Sequence, residues 1–389
     1  MKLNPAILAL AIGAFGIGVT EFAPMGMLPI VATDLGVSIP TAGLLVSAYA
    51  MGVLIGAPLM TLTTSRLPRR TLLVGLMGIF TVGNLLAALS GSYATLMIAR
   101  VVTSFNHGAF FGVGSVVAAS LVPANKRAGA VASMFMGLSI ANVGGVPLAT
   151  WAAEHFGWRT VFWGITVIGL FAMASLRFAL PVIPANADSD MRAEVRVLAR
   201  GPVLVALALT VLGSSAMFTV FTYIAPILQT QTHASPAFIA AMLFIYGIGL
   251  TVGNWLGGRY ADSSVDGTLI VALASLMVLL ILFAGAMSWP AVTVVLIFLW
   301  GIASFALIPP LQMRVMAEAE DAPNLASAMN IGAFNLGNAM GAALGGAVIS
   351  AGLGYPAVSI AGAIMAGSGL VLVLFLRRRQ TGSATALGV

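Results

Sequence analysis

The stretch Leu269–Met287, LIVALASLMVLLILFAGAM, decides the fold class because it contains neither a charged residue nor a proline. A helix needs about 20 mostly apolar residues to cross the ~30 Å hydrocarbon core of a bilayer. The rest of the chain has the same character, since 60% of its 389 residues are hydrophobic and 7% are charged. A soluble protein carries roughly a quarter charged residues. The sequence therefore predicts an all-α integral membrane protein and argues against a soluble enzyme or a disordered chain.

Charges and turn residues divide the chain into twelve apolar segments, which we call spans 1–12. Their predicted ranges are 5–31, 40–64, 71–90, 93–122, 127–153, 159–180, 202–230, 236–260, 267–287, 290–316, 323–351 and 355–376. Span 1 is too long for a signal-peptide core and is predicted to be retained as a helix.

The basic residues orient these spans. With the N-terminus inside, fifteen of the seventeen Lys and Arg residues fall on the cytoplasmic side, and only Arg159 falls outside, with Arg100 within a span. Cytoplasmic loops of membrane proteins are enriched in Lys and Arg. The net charge of +6 therefore reports orientation rather than a nucleic-acid partner, and both termini are predicted to be cytoplasmic.

A polar segment at the middle of the chain predicts two halves. Residues 181–200 form the one long polar stretch, so we expect an N-terminal six-helix half (1–180), a cytoplasmic linker (181–200) and a C-terminal half (201–389). Spans 5 and 11 both open with Ala-Ser and share Asn-x-Gly, at Asn142 and Asn335. Parallel six-helix repeats are a known transporter plan.

Charged side chains inside spans 1 and 4 are the first candidates for function. Polar residues within spans are costly and face a cavity or a partner helix. Glu21 is followed by Pro24 and Pro29, so its backbone need not be regularly helical, and its carboxyl group is either a proton carrier or part of an interhelical hydrogen bond. Arg100 tunes the pKa of this carboxyl group, holds an anionic group, or forms a structural ion pair or carbonyl clamp.

Further polar and aromatic residues within the spans are candidates for substrate or helix contacts. In span 4, His107 is a proton relay, a substrate contact or an ordinary hydrogen-bonded histidine. The residues predicted to contact a substrate, or else to pack in the core, are Thr103, Asn106, Phe111, Thr219, Thr222, Tyr223, Trp300 and Gln312. Asparagines and small-residue ladders in spans 5, 8 and 11 predict helix contacts.

Several chemistries have no residues to support them. The chain has no cysteine, no Gly-x-x-x-x-Gly-Lys-[Ser/Thr] phosphate loop and no His/Asp/Glu cluster with metal-ligand spacing. We therefore predict no cofactor, no metal site and no enzymatic activity.

Four strings resemble one known family. GAFGIGVTEFAPMGMLP (13–29), FNHGAFFGVGSVVA (105–118), GLSIANVGGVPLATW (137–151) and NIGAFNLGNAMGAALGG (330–346) are similar to sequences of the major facilitator superfamily. Within it, the chain resembles bacterial proton-linked drug and sugar efflux carriers, nearest the arabinose-efflux-permease-like subgroup. The resemblance covers essentially the whole chain. It implies that spans 1, 4, 7 and 10 line a cavity, that spans 2, 5, 8 and 11 join the halves, and that spans 3, 6, 9 and 12 face lipid.

Family motifs then imply conformational roles for further residues. After span 2, Arg66 and Arg70 match the family pattern, whereas Ser65 replaces its aspartate and Pro68 its glycine. The corresponding loop after span 8 keeps Arg259 and Asp262. The residues of spans 5 and 11 to which this resemblance and the repeat assign helix-contact or conformational roles are Asn142, Gly145, Pro147, Asn335 and Asn338.

The expected function is export of a small organic compound in exchange for protons, by a monomer in the bacterial cytoplasmic membrane. Glu21, Arg100 and His107 are expected to couple the proton. A proton-driven importer of the same fold is the alternative, and a channel or a membrane-embedded enzyme is more remote.

Overall fold

A computed structural model describes residues 4–64, 66–123, 127–183, 197, 200–261, 263–319 and 323–386, and this part of the chain is almost entirely helical. Lys2, Ser65, Lys126, Asp262 and most of the predicted linker lie outside the described residues.

Within the described chain, seven spans are single α-helices: Ile39–Thr63, Arg69–Ala88, Trp158–Ala179, Pro236–Ala261, Val265–Ala286, Pro323–Ser350 and Gly354–Ala386. Spans 1, 4, 7 and 10 are each broken into two: Pro5–Gly26 and Leu28–Asp34, Tyr93–Ser104 and His107–Ser120, Gly201–Phe221 and Ile224–Gln231, and Pro290–Phe305 and Ile308–Glu318. Span 5 contains the helices Arg127–Ile140 and Val146–Phe156, joined by the π-helical turn Ala141–Gly145.

These helices agree with the predicted membrane protein. Eleven of the twelve spans are long and apolar enough to cross a bilayer when the helices of spans 4, 5 and 10 are each taken as one segment. Span 11 is the exception, although its helix has 28 residues, because its asparagines and glycines lower its hydropathy. The predicted boundaries hold within a few residues. They include the end of span 12, predicted at 376, because the membrane-length segment ends at Arg378 although its helix continues to Ala386.

Prolines explain three of the four helix breaks. A proline has no N–H and cannot donate to the carbonyl four residues earlier. Pro226 leaves the carbonyl of Thr222 without its helical donor. In span 10, Pro309 and Pro310 likewise leave the carbonyls of Phe305 and Ala306 without theirs. Span 1 breaks at Met27, between its two prolines, so Glu21 itself lies within the helix Pro5–Gly26. Span 4 breaks without a proline, at Phe105 and Asn106.

Glycines let particular helices approach closely. A Cβ at Gly341 would lie 2.6 Å from the carbonyl oxygen of Ser215, so span 11 contacts the backbone of span 7. Likewise a Cβ at Gly249 would lie 2.5 Å from the carbonyl of Phe298 in span 10, and one at Gly247 would lie 2.5 Å from the carbonyl of Asn142. Small residues at such contacts allow dispersion and interhelical packing to hold helices together in lipid.

Large apolar side chains cover the outward faces of spans 6, 9 and 12. Phe178 is 85% exposed, and Val271 and Val371 are each 66% exposed. Such a surface is unfavourable in water and suited to contact with lipid.

We expect Gly257→Ala to destabilise the protein and Gly258→Ala to leave it unchanged or slightly more stable. A Cβ at Gly257 would lie 2.5 Å from the carbonyl oxygen of Ala306, whereas nothing lies within 4 Å of one at Gly258. Overpacking of this kind costs roughly 1–3 kcal/mol. Melting temperatures of both variants in detergent test this, and equal values would contradict the helix contact.

An ion pair joins three segments at the predicted outer surface. Arg159 Nη1 donates to Asp34 Oδ2 at 2.6 Å, and the indole N–H of Trp158 donates to the same oxygen at 3.0 Å. Arg159 Nε also donates to the carbonyl of Ser90 at 2.9 Å. The single basic residue predicted to lie outside therefore ties span 6 to the segments that follow spans 1 and 3.

The stability contributed by Asp34 should depend on pH. The hydrogen bond from Arg159, followed by that from Trp158, lowers the pKa of Asp34 below its ordinary value of 3.8. A lowered pKa stabilises the folded state above the ordinary value, and this contribution is lost as the pH falls through the lowered pKa. We expect Asp34→Asn to lower the melting temperature at pH 7, with a difference from wild type that shrinks below pH 4. A difference that stays constant between pH 7 and pH 3 would exclude this origin.

Candidate functional site

An internal cavity of about 190 Å³ is lined by residues from spans 1, 4, 5, 7, 8, 10 and 11. Its described lining contains one carboxylate, one histidine, five side-chain amides, three hydroxyls and five phenylalanines. The ionisable residues are Glu21 and His107, and the amides are Asn142, Asn254, Asn330, Asn335 and Gln312. Spans 5, 8 and 11 thus contribute directly to the wall, in addition to the spans that the family resemblance implied.

Glu21 and His107 face each other across spans 1 and 4. Glu21 Oε2 lies 3.9 Å from His107 Nε2, and both side chains are buried. The other ring nitrogen, Nδ1, shares a 3.1 Å hydrogen bond with the hydroxyl of Tyr49 in span 2. The imidazole therefore connects a buried carboxylate with a buried phenol.

Arg100 lies behind this pair. Its Nη1 donates to the carbonyl of Thr20 at 2.6 Å, and its guanidinium lies 4.1 Å from the centre of the Tyr49 ring. Because Pro24 lacks an N–H, the carbonyl of Thr20 has no donor within its own helix. Arg100 replaces the missing donor, and it also interacts electrostatically with Glu21.

The hydroxyl of Thr20 extends this arrangement to span 3. It donates to Asn84 Oδ1 at 2.6 Å, and Asn84 Nδ2 donates to the carbonyl of Phe80 at 2.8 Å. The sequence pattern did not identify Tyr49 or Thr20 as parts of the site. Their polarity inside apolar spans was the available signal, but neither carries a charge.

The break in span 4 divides the polar face that the spacing predicted. The amide N–H groups of Phe105 and Asn106 bond three residues back instead of four, and Asn106 Nδ2 donates to the carbonyl of Thr103. As a result Thr103 packs against Gly83 of span 3. His107 and Phe111, beyond the break, face the cavity.

Of the eight predicted substrate contacts, the structure brings two to the cavity, Phe111 and Gln312. The six that do not line it are Thr103, Asn106, Thr219, Thr222, Tyr223 and Trp300. Trp300 is 2% exposed and packs against the rings of Phe221, Tyr246 and Phe283.

Tyr223 lies outside the cavity lining, in a contact between spans 2, 7 and 11. Its hydroxyl donates to the carbonyl of Ala342 in span 11 at 2.7 Å, and a Cβ at Gly43 of span 2 would collide with the same ring. Tyr93 donates to the carbonyl of Thr41 at 2.7 Å. These contacts hold spans 2, 4, 7 and 11 together towards the predicted outer side.

Gln312 belongs to a chain of side-chain hydrogen bonds across spans 7, 10 and 11. Thr210 donates to Asn330 Oδ1 at 2.6 Å, Asn330 Nδ2 donates to Gln312 Oε1 at 2.7 Å, and Gln312 Nε2 donates to Ser327 at 2.7 Å. Gln312 is thus held by protein partners at both ends of its amide.

The predicted conformational residues fall into several environments. Arg66 is exposed, Arg70 donates to the carbonyl of Leu180 at 3.4 Å, and Arg259 lies 5.5 Å from the Trp255 ring. The buried members are Asn142, Gly145, Pro147, Asn335 and Asn338. Asn142 and Asn335 line the cavity itself, which the helix-contact prediction did not include.

We expect Arg100→Gln to destabilise the protein by about 3 kcal/mol, because it leaves the carbonyl of Thr20 unpaired and Glu21 without a counter-charge. Glu21→Gln should cost less in the Arg100→Gln background than alone, by about 1 kcal/mol or more. Unfolding of both single variants and of the double variant in detergent measures this coupling. Additive effects would show that the two charges do not interact.

Apolar membrane-length spans around a polar internal cavity, four of them broken into two helices, define a polytopic membrane transport protein. The Major Facilitator Superfamily model matches residues 10–331 and 207–388. The chain belongs to this superfamily, as its sequence motifs predicted.

Individual relatives cover nearly the same length. The chain is 56% identical to the Escherichia coli (strain K12) inner membrane transport protein YdhP, over 98% of each chain. It is 34% identical to the putative transporter AraJ of the same strain, over 99% of each. It is also 34% identical to the chloramphenicol resistance protein of Streptomyces lividans, over 85% of this chain and 86% of that protein. The AraJ match agrees with the predicted subgroup.

A solved structure has the same fold. The D-xylose-proton symporter superposes with a TM-score of 0.77 at 16% identity, over 94% of this chain and 97% of that one.

Proposed function

We propose that this transporter exports a small organic compound across the bacterial cytoplasmic membrane in exchange for protons. Glu21 carries the proton, and Arg100 and His107 set how readily it does so. The observation that carries this proposal is the position of Glu21: a buried carboxylate in the cavity wall, 3.9 Å from a histidine and in electrostatic range of an arginine.

The charge of the cluster gives a mechanism for coupling. With Glu21 ionised, its charge offsets that of Arg100, and with Glu21 protonated the cluster carries one net positive charge. Buried charges without partners are costly, so proton binding alters which arrangement of the surrounding helices is favoured. His107 faces Glu21 with one nitrogen and Tyr49 with the other, which suits a proton relay.

Alternating access supplies the transport step in this proposal. Residues 1–180 and 201–389 act as two halves that rock about the cavity, with both termini cytoplasmic and the protein working as a monomer. The buried residues of one apolar cluster all lie between Ala6 and Leu180, which supports an N-terminal half with its own core, and a second cluster joins Phe22, Met25 and Val146 to the C-terminal half. Phe22 stacks on Phe218 at 6.1 Å and contacts Phe221 at 6.2 Å, so span 1 and span 7 meet at one end of the cavity.

The name of one relative favours export over import. The 34% identical relative named as a chloramphenicol resistance protein suggests movement of a toxic compound out of the cell. A thermal-shift screen of the purified protein against sugars, antibiotics and nucleobases selects the compound for transport measurements. Net flux in vesicles of known orientation then separates export from import.

We expect Glu21→Gln to exchange the selected compound but to lose its response to a pH gradient. Without a titratable carboxyl group in the cavity, the gradient cannot do work on the transport cycle. The measurement is compound flux in proteoliposomes with and without an imposed gradient.

Glu154→Gln is the matched control, because Glu154 is exposed and lies outside the cavity lining. It should respond to the gradient as the wild type does. Gradient-driven flux that survives in Glu21→Gln would remove Glu21 from the proton-carrying role.

A further inference from the structure

Asn142 and Asn335 occupy matching places in the two halves of the sequence and face one cavity. Asn142 lies in span 5 and Asn335 in span 11, each within the Asn-x-Gly of the internal repeat, and both side chains line the cavity wall. They are 6% and 1% exposed. The repeat therefore places two equivalent amides on the cavity from opposite halves of the chain.

Both amides are oriented in the same way by their own helices. Asn142 Nδ2 donates to the carbonyl of Leu138 at 3.0 Å, and Asn335 Nδ2 donates to that of Ile331 at 3.0 Å. Because a backbone carbonyl accepts only, the nitrogen must face it, and the side-chain oxygen takes no part in this bond.

These two oxygens lack donors within the described chain. Asn335 Oδ1 is buried with no hydrogen-bond partner there, and the Nδ2 bond is the one hydrogen bond that the described structure gives the Asn142 side chain. Asn330 and Gln312, in contrast, use both ends of their amides on each other and on Thr210 and Ser327. A buried acceptor left unpaired is costly and gains from any ligand that donates to it.

The π-helical turn fixes the position of Asn142. The N–H of Val146 bonds to the carbonyl of Ala141, five residues back, and Pro147 follows immediately. The backbone carbonyl of Asn142 is held against Gly247 of span 8. Such turns occur frequently at functional sites, and this one contains Asn142 and lies in the cavity wall.

The rest of the described lining limits the chemistry of a ligand. It includes the carboxylate of Glu21 and no lysine or arginine. Phe111 and Phe135 form a stacked pair, 5.1 Å between ring centres, on the same wall. Arg100, the nearby cation, donates to the carbonyl of Thr20 and does not line the cavity. With Glu21 ionised, the wall thus offers acceptors and aromatic surface, which suits a ligand that supplies donors and an apolar body and disfavours an organic anion.

We propose that Asn142 and Asn335 are paired substrate ligands whose side-chain oxygens accept hydrogen bonds from an aromatic, non-anionic substrate with hydroxyl or amide N–H donors. This rests on the proposed function, and it names the substrate class and two specificity-determining residues of the same cavity.

Thiamphenicol and florfenicol test the assignment because they differ in one hydroxyl group, which florfenicol replaces by fluorine. Salicylate serves as an aromatic anion. Binding of all three to purified wild type, Asn142→Leu and Asn335→Leu is measured by thermal shift across a concentration series. Thr166→Val is the control, since Thr166 is buried, donates to the carbonyl of Phe162 at 2.8 Å and lies outside the cavity lining.

We expect the wild type and Thr166→Val to bind thiamphenicol more tightly than florfenicol and to ignore salicylate. Each leucine variant should weaken thiamphenicol binding by about three- to tenfold, as for one lost hydrogen bond. Because the hydroxyl that florfenicol lacks can donate to one oxygen only, we expect the advantage over florfenicol to fall in the one leucine variant that removes this oxygen. If a leucine variant does not fold, Asn335→Thr and Asn142→Thr replace it, because threonine keeps the bond to the helix carbonyl and loses the amide oxygen.

Three results would overturn the assignment: no binding of thiamphenicol to the wild type, preference for salicylate, or an unchanged preference in all the asparagine variants. The flux response of Glu21→Gln to a pH gradient is measured separately. If the asparagine variants lose the preference for thiamphenicol while Glu21→Gln still responds to the gradient, this inference stands and the proposed function is rejected. If the asparagine variants keep that preference while Glu21→Gln loses its response, the inference is rejected and the proposed function stands.

Discussion

The hydrogen bond from Arg100 to the carbonyl of Thr20 is the interaction on which the polar interior depends. An arginine within a membrane span costs about 3 kcal/mol on insertion scales, and a helix carbonyl without a donor is costly in the same environment. Pro24 creates such a carbonyl one residue before Glu21, and Arg100 satisfies it at 2.6 Å. Two unfavourable groups therefore stabilise each other, and their contact fixes span 4 against span 1 beside the carboxylate.

Helix breaks are the second constraint that shapes the cavity. Spans 1, 4, 7 and 10 are all interrupted, three of them beside prolines and one at Asn106. Each break changes the rotational phase of the helix, so residues before and after it face different neighbours. In span 4 this separates Thr103, which packs against span 3, from His107 and Phe111, which face the cavity. Freed backbone groups are tolerated at membrane depth where protein surrounds them.

Much of the fold followed from the sequence, because hydropathy and length constrain a membrane helix strongly. The spans, the family and the presence of the buried charges Glu21 and Arg100 within them were all visible as patterns of apolar runs and rare charges. Tyr49 was missed because an uncharged tyrosine in an apolar span looks like core. Thr219, Tyr223 and Trp300 were assigned to the substrate on polarity, yet they pack between helices, since polarity does not specify which neighbour a side chain faces.

The sequence by itself determined that this protein is embedded in a bilayer, where its spans begin and end, and which superfamily it belongs to. Those properties depend on local composition and on contiguous motifs. Only the tertiary structure decided what surrounds each buried polar group. Whether a buried asparagine oxygen is already paired, as in Asn330, or left without a donor, as in Asn335, depends on donors from helices distant in sequence. No local pattern encodes that pairing. A rotation of one helix, or the backbone N–H that a proline lacks, changes which donors reach the asparagine oxygen.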